Sequence, residues 1–469
     1  MNNGSEVNTN ENLQSVDTTI GKKIAFGERL GFGVGDLAVN FVWASMGMFI
    51  VFFYTDVVGI SAAVVGTIML VSRFLDGISD VAMGVVVDRT KSKHGKARPW
   101  ILWMCVPFAA LTVLLFTVPD VGDTGKIIYA FITYNILTLA FTAVVIPYGT
   151  LNSLITQDQH QRSLLNIFRM FLAQIGVILV SSLTLPLVDF FGGTQTGWIM
   201  TYIVYGIIAV FLFLFTFKAT KERVQITQEK TEEKIPLKVS LRALLQNKYW
   251  AMIFGFFIIY SMGTALWQGS TIYYAQYLLN NQTLTGILTM AITIPVIVGF
   301  FFMPALFRRF GKRNIVLAGS VISIIGTLII MIDITNIYFV IIGQIIRGLG
   351  KSPFTGALWA FLPDTIEYGE YKTGVRNEGL VYSAGSMGQK IGVGLGAALV
   401  GWVLGWTGYI GGAAVQSDEA LFGINALFLY LPLATYVLQS ILLLFYKLDK
   451  IYPQVEKELL ARRSKINSH

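Results

Sequence analysis

The sequence predicts an all-α membrane protein of twelve transmembrane helices in two six-helix repeats. Three observations carry that prediction. Apolar residues make up 54% of the 469 residues, charged residues only 13%, and mean hydropathy is +0.63, whereas a typical soluble domain is about 25% charged. Apolar stretches of about 20 residues, long enough to cross a bilayer, recur between short polar connectors. They fall as six, a polar linker, then six.

The first six spans are predicted at roughly 30–54, 64–87, 99–118, 127–148, 164–186 and 198–217. The second six are predicted at roughly 249–278, 285–307, 314–332, 337–361, 378–405 and 421–446. This divides the chain into a disordered cytoplasmic tail at 1–23, a six-helix bundle at 24–217, a cytoplasmic linker at 218–248, a second bundle at 249–446 and a cytoplasmic tail at 447–469. The polar first stretch lacks a basic segment followed by a short apolar core, so no cleavable secretory signal is expected.

The net charge of +8 does not indicate nucleic acid, because the basic residues sit in connectors between apolar spans. Lysine and arginine crowd one set of connectors, including Arg89 to Arg98, Arg162, the central linker and Arg308 to Arg313, while the opposite set holds Lys126 alone. The inward excess of positive charge places both termini in the cytoplasm. Asp88 to Arg98 and Arg308 to Arg313 occupy equivalent connectors of the two halves, each with an embedded glycine. Two readings stand for these turns: a duplicated six-helix unit suited to alternating access, or the general basic character of inward loops.

The second span carries charge at its centre, in Arg73-Phe-Leu-Asp76-Gly-Ile-Ser79-Asp80. An ionisable group at that depth costs at least a few kcal/mol and is functional by default. Spacings of three and four put Arg73, Asp76 and Asp80 on one helix face. Two carboxylates with the Ser79 hydroxyl offer oxygen ligands to a hard cation, or the pair shares a proton because adjacent buried carboxylates push one pKa up. The alternative is an Arg73–Asp76 pair that only fixes helix packing.

Lys390, near the middle of the eleventh span, needs a carboxylate partner, and Asp76 and Asp80 are the nearest candidates. It would compete there with a mobile cation, which gives a route to coupling. Asp36 and Asn40 in the first span and Arg169 in the fifth supply the carboxylate, amide and guanidinium that recognition of a polyhydroxylated ligand requires, though each can equally make a helix–helix hydrogen bond. Trp267, Tyr273, Tyr274 and Tyr277 of the seventh span, and Trp359 at the end of the tenth, read mainly as an interfacial aromatic belt. The lone Cys105 gives neither a disulfide nor a metal-site spacing, and no nucleophile, base and orienting group come together as in an enzyme.

With these residues laid out, the chain resembles the melibiose-permease, or glycoside–pentoside–hexuronide:cation symporter, family of the major facilitator superfamily. The resemblance is carried by Phe-Tyr-Thr-Asp-Val-Val-Gly at 53–59, the stretch from Arg73 to Leu102, Ile-Pro-Tyr at 146–148, and Asp364-Thr-Ile-Glu367-Tyr-Gly-Glu370-Tyr-Lys372-Thr-Gly-Val-Arg376. It implies a major facilitator fold and a functional monomer that needs no cofactor, couples sugar uptake to H+ or Na+, and works in the cell membrane. By resemblance, Asp76, Ser79, Asp80 and Thr142 are cation-binding positions, and Lys390 is the coupling lysine, with Arg73 beside it. Arg169, Asn40, Ser386 and Gln389 fall on the sugar site, with Asp36 near it, and Asp364, Glu367 and Arg376 match charges that close the cytoplasmic side. Two departures stand out: Asn40 and Val145 replace sugar-binding aspartates, which leaves Arg169 without those acids and suits either a hexuronide or a neutral pentoside. Without a gradient requirement the same architecture would be an uncoupled facilitator, and without flux a membrane sugar sensor.

Overall fold

The computed structural model describes residues 23–224 and 237–466; the predicted disordered tail lies almost wholly outside these. Among the described residues every regular element is helical. The first half comprises α1 (Phe26–Phe52, continued by a π-helical turn at Phe53–Val57), α2 (Ala62–Arg89), α3 (Arg98–Phe116), α4 (Asp123–Ile155), α5 (Gln159–Phe190) and α6 (Gln195–Ala219). A short α7 (Leu237–Leu245) lies within the linker. The second half comprises α8 (Lys248–Tyr277), α9 (Leu284–Phe310), α10 (Lys312–Ile330), α11 (Ile337–Ala357), and, after α12 (Leu362–Thr373), α13 (Glu378–Trp406). The last span runs through α14 (Asp418–Asn425), a π-helical turn at Ala426–Tyr430 and α15 (Leu431–Phe445), and α16 (Leu448–Ile466) follows it.

Eleven of these spans are apolar enough to cross a membrane by composition alone. The twelfth, α11, carries Arg347 and Lys351 within its length, which lowers its hydropathy. Polar side chains cap several helices: Asp158 accepts from Gln161 N at 2.9 Å and Asn247 from Trp250 N at 3.0 Å, satisfying amides that the first turn leaves unpaired.

Helix pairing repeats between the halves. In the first, α1 packs on α5 and α6, α3 on α4 and α6, and α2 on α4; in the second, α8 packs on α13 and α15, α10 on α11 and α15, and α9 on α11. The basic turns repeat too. Gly95 and Gly311 both take left-handed backbone, φ 101° and 81°, which a side chain would disfavour. Arg98 donates to Phe217 O at 2.6 Å and Arg313 to Leu443 O at 2.6 Å, each reaching the carbonyl end of its half's last span. Glu222 accepts from the amides of Lys96, Ala97 and Arg98, and Asp449 from the amide of Arg313 at 3.2 Å. Such doubled detail in donors, acceptors and backbone favours duplication over a general tendency for inward loops to be basic.

The halves meet through α2 against α13, α5 against α9 and α1 against α8. Small residues permit the closest approach: a Cβ at Gly401 would meet Gly66 N at 2.6 Å, and one at Gly286 would meet Ser182 Cα at 2.7 Å.

Candidate functional site

Asp76 lies near the middle of α2, about 20 Å from either end at 1.5 Å per residue. Its side chain is 1% exposed. The exposed positions of α2 (Phe74, Ile78, Val81 and Val85) form the opposite, apolar face, so the helix turns its charges inward and its hydrocarbon outward. Asp80, one turn further along, is partly exposed.

Four polar groups converge on these carboxylates. Lys390 Nζ, from α13 in the other half, lies 3.1 Å from Asp76 Oδ2 and pairs with Asp80 Oδ2 as well. Thr142 of α4 donates toward Asp76 Oδ1 at 3.3 Å and Asp80 Oδ1 at 3.1 Å. Ser79 sits 3.2 Å from the Thr142 hydroxyl and donates to Asp76 O at 2.8 Å. Arg73 Nη1 is 3.4 Å from Asp76 Oδ2. Two carboxylates and two cations therefore cancel in a low-dielectric interior, where an uncompensated charge would be costly.

Arg73 has partners the sequence does not signal. It donates to the Tyr134 hydroxyl at 3.2 Å and lies 4.8 Å over the Trp43 ring, a cation–π contact that keeps the guanidinium beside Asp76. Neither an aromatic in α4 nor one in α1 stands out among the many in this chain; only tertiary packing assigns them.

Arg169 stands apart from this cluster, 3.1 Å by Nε from Asp36 Oδ2 and 5.1 Å over the Tyr148 ring. The two aspartates that Asn40 and Val145 replace are absent, and the carboxylate that faces Arg169 is Asp36 of α1, one turn before Asn40. Asn40 spends one amide hydrogen on Asp36 O at 2.8 Å. Ser386 and Gln389 lie on α13 within a turn of Lys390, Ser386 partly buried and Gln389 exposed.

The aromatic belt expected in the seventh span is also corrected. Trp267, Tyr273 and Tyr274 are buried, and Tyr277 donates to Asp56 Oδ1 at 3.4 Å. The reason is that α8 is wedged against α1, so its aromatic face meets protein rather than the headgroup layer. Asp56 is a hub the sequence reading overlooks. It accepts from Thr55 at 2.6 Å, Tyr409 at 2.7 Å and the Gly412 amide at 3.0 Å, tying the two halves together at that end.

Asp364, Glu367 and Arg376 pair within the second half. Asp364 accepts from Lys312 at 2.5 Å, and burial pushes its carboxyl above the ordinary value against that lysine's pull. Glu367 accepts from Tyr452 of α16. Arg376 is 2.7 Å from Glu370 and 2.5 Å from Glu378, which hold its guanidinium above its usual pKa. Among the described residues, the hydrogen bonds and ion pairs joining the halves lie at the level of Lys390 or toward the Asp56 end.

Two six-helix halves around a mid-membrane charge cluster define a major facilitator transporter, not an enzyme. The profile of the family described as MFS/sugar transport protein matches residues 31–450, and the chain belongs to that family, the glycoside–pentoside–hexuronide:cation symporter group of the superfamily. It is 35% identical to the isoprimeverose transporter of Lactiplantibacillus pentosus over 95% of this chain and 93% of that one. It is 31% identical to the glucuronide carrier protein homolog of Escherichia coli (strain K12), over 92% of this chain and 95% of the relative. Among solved structures, the nucleoside transporter NupG superposes with a TM-score of 0.60 at 13% identity, covering 92% of this chain and 99% of that one; this likeness concerns the fold alone.

Proposed function

We propose that the protein is a secondary active transporter that couples uptake of a glycoside, pentoside or hexuronide to symport of a monovalent cation, H+ or Na+, by alternating access. Asp76 and Asp80 hold the ion, helped by the oxygens of Ser79 and Thr142. Lys390 and Arg73 set the site's charge. Arg169, Asn40, Asp36, Ser386 and Gln389 contribute to the sugar site, and Asp364, Glu367 and Arg376 serve the cytoplasmic gate in the alternate state. Both termini lie in the cytoplasm of a bacterial cell, and the monomer is the working unit. The names of the isoprimeverose and glucuronide relatives support the sugar class.

The observation that carries this reading is the reach of Lys390 across the interface to both carboxylates of α2. With Arg73 and Lys390 in place the cluster is neutral; an arriving cation makes it positive unless Lys390 withdraws. Breaking a buried ion pair costs about 3–5 kcal/mol, enough to bias how the halves sit. Ion binding and the tie between halves are then alternatives, which is the physical content of coupling.

Asp76→Asn tests it in liposomes. Accumulation against a gradient should fall by about 100-fold or more, in line with losing an interaction of that size, while exchange of sugar for sugar persists. Undiminished accumulation would sink the assignment. Ionophore-insensitive uptake by the natural protein would instead identify an uncoupled facilitator, and imposed proton or sodium gradients name the ion.

A further inference from the structure

The membrane interior holds a second group of cations with no acid beside them. Arg73 and Lys390 face Asp76 and Asp80, and Arg169 faces Asp36. Arg347 and Lys351, one turn apart on α11, have no carboxylate among the described residues. The exposed positions of α11 (Tyr338, Ile342, Ile345 and Leu349) mark its lipid face. Lys351 follows Leu349 by two residues, about 200° around the helix, so both cations turn into the protein.

The two differ in access. Arg347 is fully buried, donates to Phe428 O at 3.4 Å and lies over the Phe428 and Tyr436 rings; no ligand reaches it. Lys351 is partly exposed on that inward face. Its ammonium lies 5.2 Å from the Trp267 ring centre and 5.9 Å from that of Tyr260, and no oxygen accepts from it among the described residues. The Trp267 indole N–H is buried without an acceptor. The Tyr260 hydroxyl is occupied by Thr355 at 2.9 Å. One small region therefore offers an ammonium and an indole N–H, and no acceptor for either.

Donors without acceptors, one of them charged, define what would fill the place. A carboxylate supplies two acceptor oxygens and the missing negative charge. We propose that Lys351 and Trp267 form a carboxylate-binding subsite on the inward face of the second half, so that the preferred substrate is an acidic sugar, a hexuronide. This rests on the sugar-transport reading above and narrows its substrate class. The subsite neutralises the second cation group when substrate arrives, as an ion neutralises the α2 carboxylates.

The test is uptake by the full chain in liposomes of methyl β-glucuronide against methyl β-glucoside, which differ in a carboxylate against a hydroxymethyl group. The natural protein should take the glucuronide with a KM about tenfold lower or better, and Lys351→Met should raise that KM about tenfold or more without moving the glucoside, the range expected for a hydrogen bond to a charged group. Lys351→Arg should restore most of the preference. Trp267→Phe, which keeps a ring and removes the N–H, should show a smaller loss confined to the glucuronide, and it decides the matter with the natural protein's ratio should Lys351→Met not insert. Equal damage to both sugars, or uptake of the glucoside alone, overturns the subsite while leaving sugar transport standing. Uptake of neither sugar, nor of any pentoside, overturns the sugar reading and the subsite with it.

Discussion

With the termini cytoplasmic as proposed, the Asp56 end of the bundle is the outer one and the end carrying Glu28 and Arg376 the inner one, and the two are built from different chemistry. At the outer end α2 and α13 touch backbone to backbone through Gly66 and Gly401, α5 and α9 through Ser182 and Gly286, and Asp56 gathers donors from both halves. At the inner end the charged groups turn home: Arg223 to Glu28, Lys312 to Asp364, Arg376 to Glu370 and Glu378. One end is sealed by fit and by hydrogen bonds onto the Asp56 carboxylate, while at the other the charges are satisfied within each half. Between them sits Lys390, which joins the halves through charge alone. The seal is cheap to open, since each such hydrogen bond is worth about 1–3 kcal/mol net, and under the proposed coupling an ion at the centre decides which end is closed.

The largest effect should come from destroying the fit. Gly401→Leu puts a branched side chain where a Cβ alone would meet Gly66 N at 2.6 Å, and overpacking of this kind costs about 1–3 kcal/mol or more. The outer end should fail to close. Sugar uptake should drop by at least about tenfold on that cost, and a cysteine placed at Ala413 in a Cys105→Ala background should label readily from outside. Normal uptake with a protected cysteine would mean that the glycine contact is incidental.

A smaller effect should follow from Asp56→Asn. The shape is kept, but Tyr277, Tyr409 and the Gly412 amide lose a charged acceptor, worth about 1–3 kcal/mol against the closed outer end. Outside labelling of the same cysteine should rise about tenfold, by that energy, with the protein still folded. Unchanged labelling would reduce Asp56 to a local turn former and leave the seal to the glycines.

The contrast between the ends also explains what the sequence could and could not disclose. Span number, the six-linker-six pattern and the charged face of α2 are legible because hydropathy and helical spacing are local properties. The pairing of Lys390 with Asp76 and Asp80 is legible by elimination, since few acids lie at that depth. Asp56 is not, because an acid at a span's outer end looks solvated until α8 and the 409–412 turn close over it. Tyr273 and Tyr277 are misread for the same reason: belt and interface use the same residues, and only packing separates them. Arg347 and Lys351 are hidden by their effect on hydropathy, which makes the tenth span look weakly apolar.

The smallest structural effect should come from the inner end, and it sharpens the comparison most. Arg376 is 43% exposed, and its pairs with Glu370 and Glu378 lie within one half, so Arg376→Gln should change the thermal stability of the protein in this conformation by no more than about 1 kcal/mol. If the proposed gate is right, the same side chain leaves these glutamates and reaches the first half when the inner end closes, and its loss then weakens only that state. Uptake should fall several-fold while the melting temperature holds, and the outer cysteine should become less accessible as the population shifts inward-open. Loss of stability in step with uptake would show instead that the arginine serves the second half's own fold, and the inner end would then need another closure.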